Sequence, residues 1–365
     1  MIASELDQPF VFNSLPARVV FGEGRFAELR DEARALGISR ALVLTTPAQV
    51  ELGRDAAKKL GSLFAGHFQR AEMHTPVSVT EEALLYLKET GADGLVAVGG
   101  GSTIGLAKAV SLRRRLPKLV VATTYAGSEM TPIVGQTEDG RKTTLRSMEV
   151  LPDTVIYDPE LTLSLPFEQS VASGINAMAH AVEALYAESR NPVTAMFAQE
   201  GVGALYHALH NLADQPGDIE ARKRALYGAW LCAICLATSG MALHHKLCHV
   251  LGGMFDLPHA ETHAIVLPHA IAYNAAATPL AIARLKNALQ TEDPAAAFFA
   301  LLRGSGLPAA LRDVGMPEAG VAAAVDSALQ GAYWNPAPLK REVLTAALSR
   351  AWSGEPPEVA DWSEG

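Results

Sequence analysis

Short, wholly apolar runs alternate with stretches of helical period through the first part of the chain. Arg18 to Phe21 (RVVF), Ala41 to Thr45 (ALVLT), Gly94 to Val98 (GLVAV) and Leu119 to Thr123 (LVVAT) read as strands, and the last three are apolar enough to be buried on both faces. Between them, Phe26 to Leu36, Val50 to Leu60, Val79 to Thr90 and the segment from Ser102 through Leu112 carry apolar residues three and four apart, the spacing of a helix face. The alternation predicts an α/β domain, a parallel sheet covered by helices.

Near Phe167 the period changes. Ser173 to Glu188, Pro192 to Leu212, Ile219 to Ser239, Met241 to Phe255, Leu280 to Leu289, Pro294 to Ser305, Pro317 to Leu329 and Leu339 to Trp352 read as helices, rich in Ala, Leu and Met. This predicts an all-α domain, with the division at 1–162 and 163–365. The tail from Gly354, acidic and with paired prolines, is predicted to be mobile.

Composition narrows the class. Of 365 residues 49% are apolar and 19% charged, which suits globular domains with their own cores. A net charge of −9 without a basic stripe speaks against a nucleic-acid partner. No apolar run approaches a membrane span and the first residues lack a signal-peptide pattern, so the expectation is a cytoplasmic protein with no membrane contact. Three cysteines cannot form a disulfide framework, and Cys232 and Cys235, inside AWLCAICLA, read as buried small residues.

Two stretches carry chemistry. Gly99-Gly100-Gly101-Ser102 joins a strand to a helix. Glycines admit a close backbone approach, and helix-start amides attract an anion, so the turn reads as a phosphate cradle. The second stretch, His244 to His269, holds six of the eleven histidines. His245 and His249 are four apart, as are His259 and His263, which puts each pair on one helix face. Asp256-Leu257-Pro258 breaks the two helices apart. Such a concentration of imidazole reads as a site.

GGGST after a strand, TTYAGSEMT, VIYDPELTLSLP, GINAMAHAVEAL and HHKLCHVLGGMFDLPHAETH follow in that order. On these motifs the whole chain resembles the iron-containing alcohol dehydrogenase family. LPARVVFGEG, TTYAGSEMTP and EDGRKTTLR resemble the maleylacetate reductase group within it. The resemblance implies a dinucleotide-binding α/β domain plus an all-α domain, the dehydroquinate synthase-like fold. It implies NADH or NADPH as cofactor, with Gly99, Gly100, Gly101 and Ser102 on the pyrophosphate, Thr123 and Thr124 toward the nicotinamide, and Lys142 nearby. Where the family often has an acidic residue for the adenosine ribose this chain has Thr46, which does not repel a 2′-phosphate. It has Gly105 where the family usually has Asp, and TTYAGSE is one residue shorter than the usual loop.

In the family one aspartate and three histidines hold a divalent metal. The histidines fall on His180, His245 and His259, and the aspartate on Asn176. An amide removes the only anionic ligand, so the expectation is a site without metal, as in the maleylacetate reductases. The implied reaction is reduction of the carbon–carbon double bond of maleylacetate to 3-oxoadipate, a late step in breakdown of aromatic compounds. The charge that develops is that of an enolate, which hydrogen-bond donors can stabilise, and imidazole can supply the proton.

The expected roles follow. His180, His245 and His259 line the site, His245 or His249 gives the proton, and Tyr125 offers a hydroxyl. Asn176 hydrogen-bonds the substrate or a histidine. His244, Lys246, His74 and the pair Arg141-Lys142 are candidates for binding the small dicarboxylate. A homodimer is the implied assembly. A metal-dependent alcohol or polyol dehydrogenase shares the fold and is the alternative; a metal-dependent synthase-type relative is a third, and a non-catalytic binding protein a fourth.

Overall fold

The computed structural model describes residues 10–360, apart from the side chain of Lys142. The chain divides into two compact units. One is Ser14–Leu165; the other is Pro166 onward together with the segment before Ser14. The division falls after the 162/163 boundary that the sequence predicts. It also places residues 10–13 with the helices, while residues 14–17 lead into the sheet, which starts at Arg18.

The first unit is built on β1 (Arg18–Phe21), β2 (Ala41–Leu44), β3 (Phe64–Phe68), β4 (Gly94–Gly99), β5 (Lys118–Ala122), a hairpin of β6 (Ile133–Glu138) and β7 (Arg141–Arg146), and β8 (Thr154–Tyr157). Six of these form one parallel sheet in the order β1-β8-β5-β4-β2-β3. The inner strands are buried along their whole length, which is why they read as unbroken apolar runs. The two edge strands are half exposed, and β3 (FAGHF) lacks the apolar continuity that marks the others. The helices are α1 (Leu29–Ala35), α2 (Val50–Leu60), α3 (Val77–Thr90) and α4 (Gly101–Arg113). On one face of the sheet Val43, Val96, Val98, Val121 and Ile156 pack with Leu29, Ala33, Ala56 and Leu60 into a continuous core. The hairpin turns at Asp139-Gly140, both with positive φ (49° and 72°), the two-residue turn whose twist suits paired strands.

The second unit runs α5 (Phe167–Ala184), α6 (Pro192–Asp214), α7 (Ile219–Thr238), α8 (Leu243–Phe255), α9 (His259–Asn274), α10 (Pro279–Leu289), α11 (Pro294–Gly304), α12 (Gly320–Leu329) and α13 (Arg341–Ser353). Side-chain caps start several of them: Asn191 accepts from Thr194 N at 2.9 Å and Asp293 from Ala296 N at 3.0 Å, each just before a proline at the first helical position. α6 and α7 pack so closely that a Cβ on Gly228 would lie 2.7 Å from the Gly201 carbonyl oxygen. Cys232 and Cys235 are buried in α7, and burial pushes both thiols up. Among the described residues no single helix is long and apolar enough to cross a membrane. The tail departs from expectation through Ala360. Arg350 pairs with Glu355 and Glu358, and Ala360 N donates to Ala272 O, so these bonds hold the described part in place.

Candidate active site

The glycine turn lies at the point where the sheet reverses direction. From β2 the chain moves outward to β3, and from β4 it moves the other way to β5, so the ends of β2 and β4 diverge into a crevice. Thr46 follows β2, Gly99 to Ser102 follow β4, and Thr123 and Thr124 follow β5. Gln49, which the sequence did not single out, ties the three together. Its Nε2 donates to Thr123 Oγ1 at 2.9 Å, and Thr46 Oγ1 donates to its Oε1 at 3.3 Å.

The glycines differ in what they serve. Gly99 has φ 151°, and a Cβ there would run into Gln49 Oε1 and lie 2.6 Å from Thr103 Oγ1. A Cβ on Gly100 would lie 2.8 Å from Thr124. These two are required by the protein itself. Gly101 begins α4, and its Cβ would meet no protein atom within 4 Å. Open space therefore lies before helix-start amides, and no acidic residue occupies that first turn. Residues so arranged fit the pyrophosphate of a dinucleotide.

Behind the cradle, Lys108 of α4 is fully buried. Its Nζ donates to the carbonyls of Ser128, Thr131 (2.8 Å) and Ile133 (2.9 Å), and so knots the loop that follows β5. Burial pulls this ammonium down to about 7, against the buried Glu129 nearby. Tyr125, in the same loop, is fully buried. His74 is exposed, with a positive φ of 63°. Arg141 is exposed at the hairpin turn, and the Lys142 side chain lies outside the described residues.

In the helical unit, α5, α8 and α9 bring imidazoles together. His180 of α5 stacks on His245 of α8, with ring centroids 4.9 Å apart and planes at 29°. His263 of α9 lies 5.0 Å from His245 and 4.2 Å from His259. His249 stands further off, 6.5 Å from His245, and is exposed. Burial first, and then the neighbouring imidazoles, push His180, His245 and His263 well below the usual histidine range, so these rings are neutral at pH 7.

A buried carboxylate organises the group. Glu183, three residues beyond His180 on α5 and fully buried, accepts from Ala242 N (2.9 Å), His244 N (2.7 Å) and His245 Nδ1 (2.7 Å). Burial raises its carboxyl while the backbone donors oppose that shift. The sequence reading passed over it, although a lone charge in the apolar run GINAMAHAVEAL was a signal, because a buried carboxylate needs partners. His263 was missed as a site residue, despite its spacing from His259.

Several ring and amide atoms here have no hydrogen-bond partner among the described residues: Asn176 Oδ1, His180 Nδ1, His245 Nε2 and both nitrogens of His263. Two expectations are corrected. His244 has both ring nitrogens engaged, Nε2 donating to the His263 carbonyl at 3.1 Å and Nδ1 lying 3.3 Å from His245 Nδ1, which leaves it none for a substrate. Lys246 is engaged elsewhere than expected, donating to the Gln330 carbonyl at 3.2 Å and lying over the Tyr333 ring.

The family's metal pattern can be tested on these donors. His244, His245 and His263 hold ring nitrogens within 4.8 Å of one another, but this trio differs from His180, His245 and His259, and His244 has both of its ring nitrogens engaged while Glu183 holds Nδ1 of His245. Position 176 offers an amide, and the carboxylate of Glu183 is taken by three N–H donors. The residues present do not fit a three-histidine, one-carboxylate site.

Comparison with known proteins agrees with the geometry. Residues 16–159 match the iron-containing alcohol dehydrogenase family, and residues 170–352 match the C-terminal part of the Fe-containing alcohol dehydrogenase family. The chain is 51% identical to the maleylacetate reductase of Pseudomonas aeruginosa, over 96% of this chain and 99% of that protein. It is 50% identical to the one from Delftia acidovorans over the same shares. The crystal structure of maleylacetate reductase from Rhizobium sp. strain MTP-10005 superposes with a TM-score of 0.92, at 50% identity, covering 96% of this chain and all of that one.

Proposed function

We propose that this chain, which belongs to the iron-containing alcohol dehydrogenase family, reduces the carbon–carbon double bond of maleylacetate with NADH or NADPH, giving 3-oxoadipate without a metal. The identity of about half, over nearly the full length of maleylacetate reductases, carries the reaction. The amide at Asn176, and the engagement of Glu183 elsewhere, support a metal-free site.

The chemistry asks for little that a metal would add. Gly99 to Ser102 would hold the pyrophosphate of the dinucleotide, whose reduced nicotinamide would supply the hydride taken up by the carbon β to the ketone. Charge then develops on the ketone oxygen as an enolate, and the carbon α to the ketone takes a proton. Asn176 and the imidazoles of His180 and His245 hold polar atoms that no protein group satisfies, suited to a polar substrate. His249 is the candidate for the proton, because neutral His245, with its hydrogen held on Nδ1 by Glu183, presents a lone pair at Nε2. Their burial differs: His245 is enclosed, whereas His249 is open to water and can be recharged from it.

Thr46 at the end of β2 carries no charge, which supports use of NADPH beside NADH. A homodimer remains part of the proposal, to be read by light scattering. The reaction is tested by turnover with nicotinamide-deuterated NADH and location of the label by mass spectrometry and NMR. Deuterium on the methylene of 3-oxoadipate that lies β to the ketone is expected. Label on the former ketone carbon, as a hydroxy acid, would make the chain a carbonyl reductase.

A further inference from the structure

Glu183 is buried completely, and both of its oxygens are engaged within the protein. Its two oxygens divide their bonds. Oε1 accepts from His244 N at 2.7 Å, and Oε2 accepts from Ala242 N at 2.9 Å and from His245 Nδ1 at 2.7 Å. The carboxylate therefore does two things at once: it anchors the start of α8 and holds one specific ring nitrogen on that helix. A carboxylate can only accept, so the hydrogen of His245 is on Nδ1. The other nitrogen, Nε2, is buried with no protein partner.

We propose that Glu183 is a positioning residue for the reduction, fixing the tautomer and ring orientation of His245 so that Nε2 is the atom presented to the substrate. The inference rests on the reading of the site as that of a maleylacetate reductase, and it adds a residue to that reading. The neighbouring ring shows why the hold matters. His244 Nδ1 lies 3.3 Å from His245 Nδ1, and with its own hydrogen on Nε2 it offers a lone pair to the same Nδ1–H. It is the longer and weaker competitor. Without the carboxylate, His245 could carry its hydrogen on either nitrogen, and the ring would be free to turn.

The conservative change Glu183→Gln keeps the acceptor for His244 N and gives up Oε2, with the bonds it takes from His245 Nδ1 and Ala242 N. One amide oxygen can still accept from the helix start, but the amide NH2 donates where the carboxylate accepted, which pushes the hydrogen of His245 to Nε2. The test is a double-mutant cycle of Glu183→Gln, His245→Gln and the pair, with kcat and KM for maleylacetate. Long-range 15N–1H histidine spectra of the wild-type protein are recorded alongside, with His245 assigned by its loss in His245→Gln. The expectation is that E183Q lowers kcat about 100-fold, the scale on which groups orienting a functional histidine act, with KM within about threefold. The pair should be no slower than His245→Gln alone. The wild-type spectrum should place the His245 hydrogen on Nδ1, a result that needs no variant of Glu183 to fold. Additive losses in the cycle, or a His245 hydrogen on Nε2 in the wild type, would overturn the inference. A wild-type protein that does not reduce maleylacetate would instead remove the functional reading, while the spectrum would still report on the Glu183–His245 pair.

Discussion

Thr75 Oγ1 stands where the side chain of residue 105 would begin: a Cβ built on Gly105 collides with it. Gly105 sits inside α4, just beyond the glycine cradle, at the position where the family usually carries Asp. Thr75 is buried and held at φ 48°, a region costly for a β-branched residue. The missing side chain at 105 and the strained threonine are thus two halves of one packing arrangement.

Replacing Gly105 by Ala is accordingly expected to destabilise the protein by about 1–3 kcal/mol, despite the better helix propensity of alanine. Adding Thr75→Gly removes the collision and the strain together, and should restore most of the loss. Thermal unfolding of the two single variants and the pair reads this directly. Equal Tm values for Gly105→Ala and its combination with Thr75→Gly would refute the coupling.

The third glycine of the cradle should behave differently from the first two. Because a Cβ on Gly101 meets no protein atom, Gly101→Ala is expected to leave Tm unchanged or slightly raised. If a pyrophosphate fills that space, KM for NADH should rise about tenfold or more, about 1.4 kcal/mol of binding. Gly100→Ala should lower Tm as well, since its Cβ would press on Thr124. An unchanged KM in Gly101→Ala would place the cofactor phosphates elsewhere.

Acid should unfold this protein through its buried histidines. His269 packs among Leu243, Leu247, Val266 and Tyr273, with neither ring nitrogen partnered, and burial lowers it to about 4. His244 is lowered to about 4 as well. The unfolded chain takes up these protons near pH 6.5, before the folded one does, so their contribution is complete above about 6.5 and is lost as pH falls toward 4. His269→Met should therefore flatten the acid limb, gaining about 2 kcal/mol at pH 5 relative to the wild type, compared with the same difference at pH 7.5. Urea unfolding at the two pH values is the measurement, and parallel losses in both proteins would count against it.

Asn176→Asp restores the carboxylate of the family's metal set. The variant is expected to retain close to one zinc or iron per chain after dialysis, where the wild type retains far less, and to reduce maleylacetate more slowly because a new negative charge faces a dicarboxylate. Metal content by elemental analysis decides it; equal metal retention in both would mean that the amide at 176 does not govern binding.

The sequence revealed some parts of this molecule far better than others, for physical reasons. The four inner strands that bury both faces are unbroken apolar runs, three of them read directly, whereas β3 alternates like any edge and passed unread. The Asp139-Gly140 turn was a hairpin signal between strands too polar to stand out. His180, His245 and His259 are identifiable because the chain's motifs resemble those of the family, whose metal-ligand positions they match. Helix phase is harder. His244 and Lys246 flank His245 in sequence, but neighbours on a helix point about 100° apart, and only packing shows that one meets the His263 carbonyl and the other Gln330. Glu183, Gln49 and Lys108 were missed for one shared reason. Each is defined by partners distant in sequence, and of the three only Glu183, a lone charge in an apolar run, carries a local signal.

Reduction of the enone without a metal, as proposed for this site, is open to direct measurement. The most direct measurement is NADH oxidation by maleylacetate, using protein treated with a strong chelator and shown by elemental analysis to hold no metal. Full turnover, unchanged on adding iron or zinc, is the predicted result. Activity that vanishes with the metal and returns when iron or zinc is supplied would contradict it, and would make the imidazoles of His180, His245 and His259 ligands after all.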